Sequence, residues 1–212
     1  MNIKNKRIIF IGPHYDDIEL SCAGLINDLK YNNEIFYIII TKSASLKENI
    51  IRKKEQKKVL KQLNIKKSYF LNENDVILKN TKKLYNKIEG ILLNINPDIC
   101  FTHYYDDTHQ DHIITSNIVT SICSRKNINL CYFDSFSSIN LPYNFIYEIN
   151  ITEKRKILNF FKHQLNKIYR KDITYLQKEI NKNLYNGKNN NCEAAEIYLI
   201  YKICLKKGDD CH

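Results

Sequence analysis

Two short stretches of this chain gather side chains that hold metal ions and move protons. The first, Pro13-His14-Tyr15-Asp16-Asp17, follows the apolar run Ile8 to Ile11 and sets one histidine beside two adjacent carboxylates. The second, Thr108-His109-Gln110-Asp111-His112, lies far downstream. Charge is costly after a buried strand unless it engages something. Imidazole nitrogen and carboxylate oxygen are donors that zinc accepts, and a catalytic zinc site takes three protein ligands while leaving a position for water. A remaining carboxylate is then free to act as a base, so the pattern reads as a metal-dependent hydrolase. Two alternatives stand beside it. A metal-dependent phosphoesterase also uses Asp and His, but a two-metal site needs more bridging carboxylates than these stretches supply. Alternatively, Asp16 and Asp17 cap the helix that follows them, and Asp107, His109 and Asp111 cap one that opens near His112. Both clusters falling after strands of one sheet favours a joint site.

The strands that must position these residues belong to a regular alternation. Residues 8 to 11 and 34 to 40 are continuous apolar runs of strand length, and Leu20, Ala23, Gly24, Ile26 and Leu29 between them follow a helical period. Further helices are expected at Leu46 to Leu63, Thr81 to Leu93 and Asp111 to Cys123, with strands near Ser68 to Leu71, Asp98 to Thr102 and Leu130 to Phe133. Continuous apolar strands separated by helices predict an α/β, three-layer Rossmann-like fold with a mostly parallel sheet flanked by helices. In such a sheet ligands collect at the carboxyl ends of the strands, where both clusters fall. After Asp134 the rhythm changes. Phe145 to Ile149 reads as a strand, Thr152 to Leu165 as a helix with Thr152 as N-cap, Lys182 to Asn191 as a solvated loop, and Ala195 to Leu205 as a strand or helix. One domain over 1–212 is expected, with a Rossmann-like core about 1–135 and an elaboration about 136–212.

Composition narrows the partners. The formal charge is +10 with pI near 9.1, yet the lysines are scattered among asparagine and isoleucine, so nucleic acid is not the expected partner. A basic binding module for nucleic acid or an anionic membrane is the rival from another class. Seven cysteines without CxxC spacing argue against a disulfide framework and for a reducing cytoplasm. The apolar run after Arg7 is too short for a signal-peptide core, and no stretch approaches the roughly 20 apolar residues of a membrane span.

Pro13-His14-Tyr15-Asp16-Asp17 and His109-Gln110-Asp111-His112 resemble the Pro-His-Pro-Asp-Asp and His-Pro-Asp-His signatures of the LmbE/PIG-L zinc N-deacetylases. Arg52-Lys53-Lys54-Glu55, Lys156 to Gln164 and Ala195-Glu196-Ile197-Tyr198 are similar to further segments of that family. The resemblance implies a zinc-dependent enzyme that removes the N-acetyl group from an amino sugar or N-acetylglucosaminyl conjugate, releasing acetate. It implies that His14, Asp17 and His112 hold one zinc, for which iron is an alternative. By the same resemblance Asp16 is the general base, and His109, oriented by Asp111, carries positive charge beside the oxyanion. Asp16 or His109 then protonates the leaving amine. Tyr15 and Gln110 replace two family prolines, neither of them a ligand. Arg52 fits a substrate-binding or supporting role, or an exposed pair with Glu55. Tyr104 and Tyr105 are candidates for the substrate-binding rim. His103 reads as loop or pocket lining, His163 and Gln164 as packing or substrate contacts, and Asp106 and Asp107 as either orienting or solvated groups. The partner expected is a small N-acetylated sugar or glycoconjugate, with a homo-oligomer possible.

Overall fold

The computed structural model describes residues 3–75 and 78–203, so Cys204, Cys211 and His212 lie outside the described residues. The first half alternates regularly through β1 (Arg7–Gly12), α1 (Asp17–Leu29), β2 (Glu34–Lys42), α2 (Leu46–Gln62), β3 (Lys67–Asn74), α3 (Lys82–Ile95), β4 (Ile99–His103), α4 (Gln110–Lys126) and β5 (Asn129–Phe133). The remainder comprises β6 (Phe145–Glu148), α5 (Ile151–Leu158), α6 (Lys162–Leu165), β7 (Ile168–Arg170), β8 (Ile173–Thr174), α7 (Tyr175–Asn189) and β9 (Ala195–Lys202).

One seven-stranded sheet runs in the order β3-β2-β1-β4-β5-β9-β6. Pairings among β1 to β5 are parallel, and β9 pairs antiparallel with β5 and β6. The period of two along each strand divides the core. Ile8 and Phe10 of β1 join Ile35 and Tyr37 of β2 on the face covered by α1, α2, α5 and α7. Ile9 and Ile11 join Ile38 and Ile40 on the face covered by α3 and α4. This is why the apolar runs are unbroken: each side chain meets a helix layer, and burying one Ile or Leu is worth about 1.5–3 kcal/mol. The strand order reverses between β1 and β4, and that switch point is where an open α/β sheet leaves a crevice.

Two expectations for the second half are corrected. The helix expected at 152–165 is two pieces, and its N-cap is Asn150, whose side chain accepts from the Glu153 N–H at 3.1 Å. The break after Leu158 lets Phe161 turn into the core, where it is 1 % exposed. The stretch expected as a loop at 182–191 is mostly α7. Its start is fixed by a Thr174/Gln177 capping box, and its buried face is largely polar, with Glu179, Asn183, Asn186 and Gly187. Gly187 is required because a Cβ there would lie 2.5 Å from the Ala194 backbone. Among the described residues no helix is long and apolar enough to cross a membrane, and five cysteines are free thiols.

Candidate metal centre

β1 ends at Gly12, and the chain must turn at once to begin α1 at Asp17. The turn is tight: a Cβ on Gly12 would come within 3.2 Å of Ile18 and 3.3 Å of Asp17. Asp16 adopts φ 87° and ψ −22°, in the left-handed region, which costs an L-residue on the order of 1–3 kcal/mol. Although it occupies the N-cap position, its side chain makes no capping hydrogen bond. The carboxylate meets Arg52 instead, with Nη2 at 3.4 Å from Oδ1 and 3.5 Å from Oδ2. Capping therefore does not account for Asp16.

Across the switch point, β4 ends in His103 and the loop to α4 is pinned by Asp107. Its carboxylate accepts from the His109 backbone N–H at 2.8 Å, approaches His112 Nδ1 at 3.0 Å, and accepts from the Ser135 hydroxyl at 2.7 Å. Asp107 is thus an orienting group, not a solvated one.

His14, Asp17 and His112 converge, each offering a ligand atom within 4.8 Å of the others. His14 Nδ1 lies 3.0 Å from Asp17 Oδ2, and His112 Nε2 lies 3.6 Å from Asp17 Oδ1. The far nitrogens meet carboxylates: His14 Nε2 is 3.1 Å from Asp75 and 3.2 Å from Asp111, and His112 Nδ1 faces Asp107. Carboxylates on the outer nitrogen are how proteins fix the tautomer and aim of a metal-binding imidazole. Two other triads are close enough to hold an ion, His14/His109/Asp111 and His103/Asp107/His112. Each uses a histidine–carboxylate pair already in contact, His14 with Asp111 and His112 with Asp107. In the triad of His14, Asp17 and His112 one nitrogen of each imidazole approaches the same carboxylate, and its donor set suits a divalent metal.

The electrostatics match that division. Burial works against charge on His14, but the Asp17 carboxylate, with hydrogen bonds that His14 donates to Asp111, Asp17 and Asp75, holds its pKa well above the ordinary value. On His112 burial is likewise outweighed by Asp17 and Asp107, which push it up to about 9. Burial would raise Asp17, yet His14 and then His112 hold it well below the usual carboxylate range. A cation entering among these groups displaces protons from the imidazoles. Asp16 behaves oppositely: burial raises it to about 7 against the lowering influence of Arg52. A carboxylate tuned near neutrality is suited to receiving and returning a proton.

Several sequence expectations change here. His109 was expected to be charged through the Asp111 carboxylate, but it is the Asp111 backbone N–H that donates to His109 Nδ1, at 3.3 Å. Burial, then His112 and His14, lower the His109 pKa, and with Nδ1 accepting from Asp111 a neutral ring would carry its proton on Nε2. The Asp111 carboxylate reaches His14 and accepts from the Leu78 N–H at 3.3 Å. Arg52 is buried and donates to the Tyr15 carbonyl at 2.8 Å, so it anchors the Asp16 turn and not an exposed pair with Glu55. Tyr104 is 5 % exposed and packs on Tyr132, which removes it from the rim, whereas Tyr105 is 47 % exposed. His163 lies on α6 against α2, 3.6 Å from Glu48. Asp75, Ser135 and Ser137 were not singled out for the site, and His103, expected as loop or pocket lining, is fully buried against His112. No local pattern marks Asp75 or the serines, because their relation to the cluster exists only in the folded chain.

The family model described as PIG-L: GlcNAc-PI de-N-acetylase matches residues 9–123. Among solved structures, the N,N'-diacetylchitobiose deacetylase of Pyrococcus horikoshii, bound to an inhibitor, is 19% identical, covering 91% of this chain and 82% of its own, with TM-score 0.77. A zinc-inhibited form of a teicoplanin deacetylase is 13% identical over 91% of this chain and 96% of its own, with TM-score 0.72. The 4-carboxy-2-hydroxymuconate hydratase of Pseudomonas putida has TM-score 0.75 at 10% identity, over 96% of this chain and 99% of its own. The same fold therefore occurs in proteins described as deacetylases and as a hydratase, and the chemistry must be argued from the site.

Proposed function

This chain belongs to the PIG-L family, and from that premise we propose that it is a metal-dependent hydrolase that removes the N-acetyl group from an amino sugar or N-acetylglucosaminyl conjugate, releasing acetate. One observation carries the reading: His14, Asp17 and His112 converge from two strand ends, each imidazole braced by a carboxylate on its outer nitrogen, with Asp16 beside them. Zinc is the metal this donor set favours, with iron the alternative. When bound, the cation supplies Lewis acidity to a water and to the acyl carbonyl.

The chain's own residues do the rest. Asp16 removes a proton from the attacking water and returns it to the departing amine, while Arg52 fixes the carboxylate's orientation. His109, with Nδ1 engaged by the Asp111 N–H, directs Nε2–H at the oxyanion that develops on the acyl oxygen. The exposed Tyr105 offers a flat face to the sugar. The chain acts as one catalytic unit, because a single core cluster draws on α1, α2, α5, α7 and β9. Its free cysteines suit a reducing cytoplasm.

The test is incubation of the zinc-loaded protein with a panel of N-acetylated sugars, nucleotide sugars and glycosides, reading freed amine and acetate. Stoichiometric release of both from at least one substrate is expected. Phosphate release from phosphomonoesters with no acetate from any amide would overturn the reading.

A further inference from the structure

The buried residues of α2 are two long polar side chains, Arg52 and Gln56, followed by the apolar Val59 and Leu60. Val59 and Leu60 join the core, and an apolar residue at 56 would be buried beside them at a lower desolvation cost. Gln56 is 0 % exposed all the same, and both ends of its amide are engaged. Oε1 accepts from the Asp16 N–H at 3.3 Å, and Nε2 donates to Glu19 Oε1 of α1 at 2.7 Å. A backbone N–H can only donate, so the Asp16 contact fixes which end of the amide is which.

These contacts close on a single peptide unit. Arg52 Nη2 donates to the Tyr15 carbonyl at 2.8 Å, and Gln56 takes the N–H of the Asp16 that follows. Both polar groups of the Tyr15–Asp16 peptide are thus held by residues i and i+4 of one helix, which share a face. On its other side Asp16 is tied into α1, its carbonyl accepting from the Leu20 N–H at 2.9 Å. The φ of 87° at Asp16 favours turning this peptide over, because a flip returns φ to the negative side where L-residues rest. A flipped peptide points its C=O and N–H away from both partners and re-aims the Cα–Cβ bond that carries the carboxylate. The strained conformer is the one that α2 selects.

We propose that Gln56 is a positioning residue for Asp16: it acts through the main chain, with Glu19 locking its amide, to hold the carboxylate in the direction that proton transfer requires. Its effect on turnover rests on the hydrolase reading. Arg52 touches the Asp16 carboxylate itself, whereas Gln56 meets only the backbone N–H and Glu19 meets only Gln56 in this chain of contacts. The arrangement explains why a glutamine, and not another leucine or valine, fills this buried turn of α2.

Gln56→Met keeps the length and burial of the side chain and removes both hydrogen bonds. In the zinc-loaded protein, kcat for a substrate that releases acetate should fall roughly 10- to 100-fold, the scale of a small misplacement of a reacting group. KM should stay within about twofold, with zinc still bound. Glu19→Leu frees the amide without altering Gln56 and should also lower kcat, and Glu19→Gln, which keeps an acceptor for Nε2, should recover most of that loss. Amide hydrogen exchange followed by NMR reads the clamp without turnover. The Asp16 N–H should be protected in the unmodified protein and exchange at least about tenfold faster in Gln56→Met. An unchanged kcat in Gln56→Met, zinc lost together with kcat, a loss in Glu19→Gln as deep as in Glu19→Leu, or an unprotected Asp16 N–H in the unmodified protein would overturn the proposal. Should Gln56→Met fail to fold, the two Glu19 variants and the exchange rate of the unmodified protein decide it. Acetate from no substrate, with the exchange pattern as expected, removes the hydrolase and retains the clamp on the Tyr15–Asp16 peptide.

Discussion

The His103 ring stacks on His112 at 3.7 Å between centroids and brings Nε2 to 3.4 Å from Asp17 Oδ2. One fully buried imidazole thus braces two candidate metal ligands at once. Neither of its nitrogens has a well-formed hydrogen bond, and burial, followed by the charge of His112, lowers its pKa to about 4. The ring is neutral and acts through shape and a weak polar contact. His103→Phe preserves the packing against Phe133 and removes one of Asp17's polar contacts, leaving those with His14 and His112. Zinc affinity should fall about 10- to 100-fold, the usual effect of removing an outer support, while the melting temperature of the metal-free protein holds. Chelator competition measures this, and an unchanged affinity would reduce His103 to packing.

Asp16→Asn removes the proposed proton acceptor while keeping a residue type that tolerates the left-handed backbone. Turnover should drop about 10²- to 10⁴-fold, the range for loss of a general base, with one metal still bound. His112→Ala should instead lose the metal. Bound-metal analysis beside acetate release separates the two, and full activity in metal-loaded Asp16→Asn sinks the assignment.

Lys154 is fully buried, 2.8 Å from Glu196 and 3.1 Å from Glu179, and donates to the Leu20 carbonyl. Glu196 also accepts from the Gly24 and Leu25 N–H groups at 2.9 Å each, joining β9 to α1. Lys154→Met strands buried carboxylates and should cost about 3–5 kcal/mol. Urea unfolding reads the loss, and adding Glu196→Gln with Glu179→Gln should recover part of it. A loss below about 1 kcal/mol, the scale of an exposed pair, would show the network to be solvated.

Burial, eased in part by the hydrogen bond from Gln56 at 2.7 Å, raises the Glu19 carboxyl to about 8. Between its ordinary value of 4.5 and about 8, the folded protein holds a proton that the unfolded chain has released. Stability therefore falls as pH rises through that window. Glu19→Gln removes the titration, so its melting temperature should exceed the parent's by a margin that grows from pH 4.5 to 8. Parallel pH profiles would contradict a neutral Glu19.

Where one residue's type carried its own reason, the sequence was readable. The runs Ile8 to Ile11 and Ile35 to Ile40 need two covering layers whatever surrounds them, and strands ending in His14 and His109 clusters point to one sheet edge. α7 was not readable, because its inward face uses Glu179, Asn183 and Asn186, whose burial is made tolerable by partners elsewhere, such as Lys154 and the Ala195 carbonyl. The same holds for Asp75 and Ser137, side chains common in loops that become partners of His14 and His112 only after long-range pairing. The reversal of roles at Asp111, main chain to His109 and carboxylate to His14, depends on side-chain direction, which spacing does not encode.

The left-handed backbone at Asp16 also restricts how this enzyme can be altered. Glutamate would preserve the charge there, but it has a longer arm and little tolerance for a φ of 87°. Glycine and asparagine accept the backbone and lack the acid. Aspartate is left as the one side chain that satisfies both demands. Mutational libraries at this position should therefore return a single functional residue, with neighbouring substitutions that relax the turn as the prerequisite for any other base.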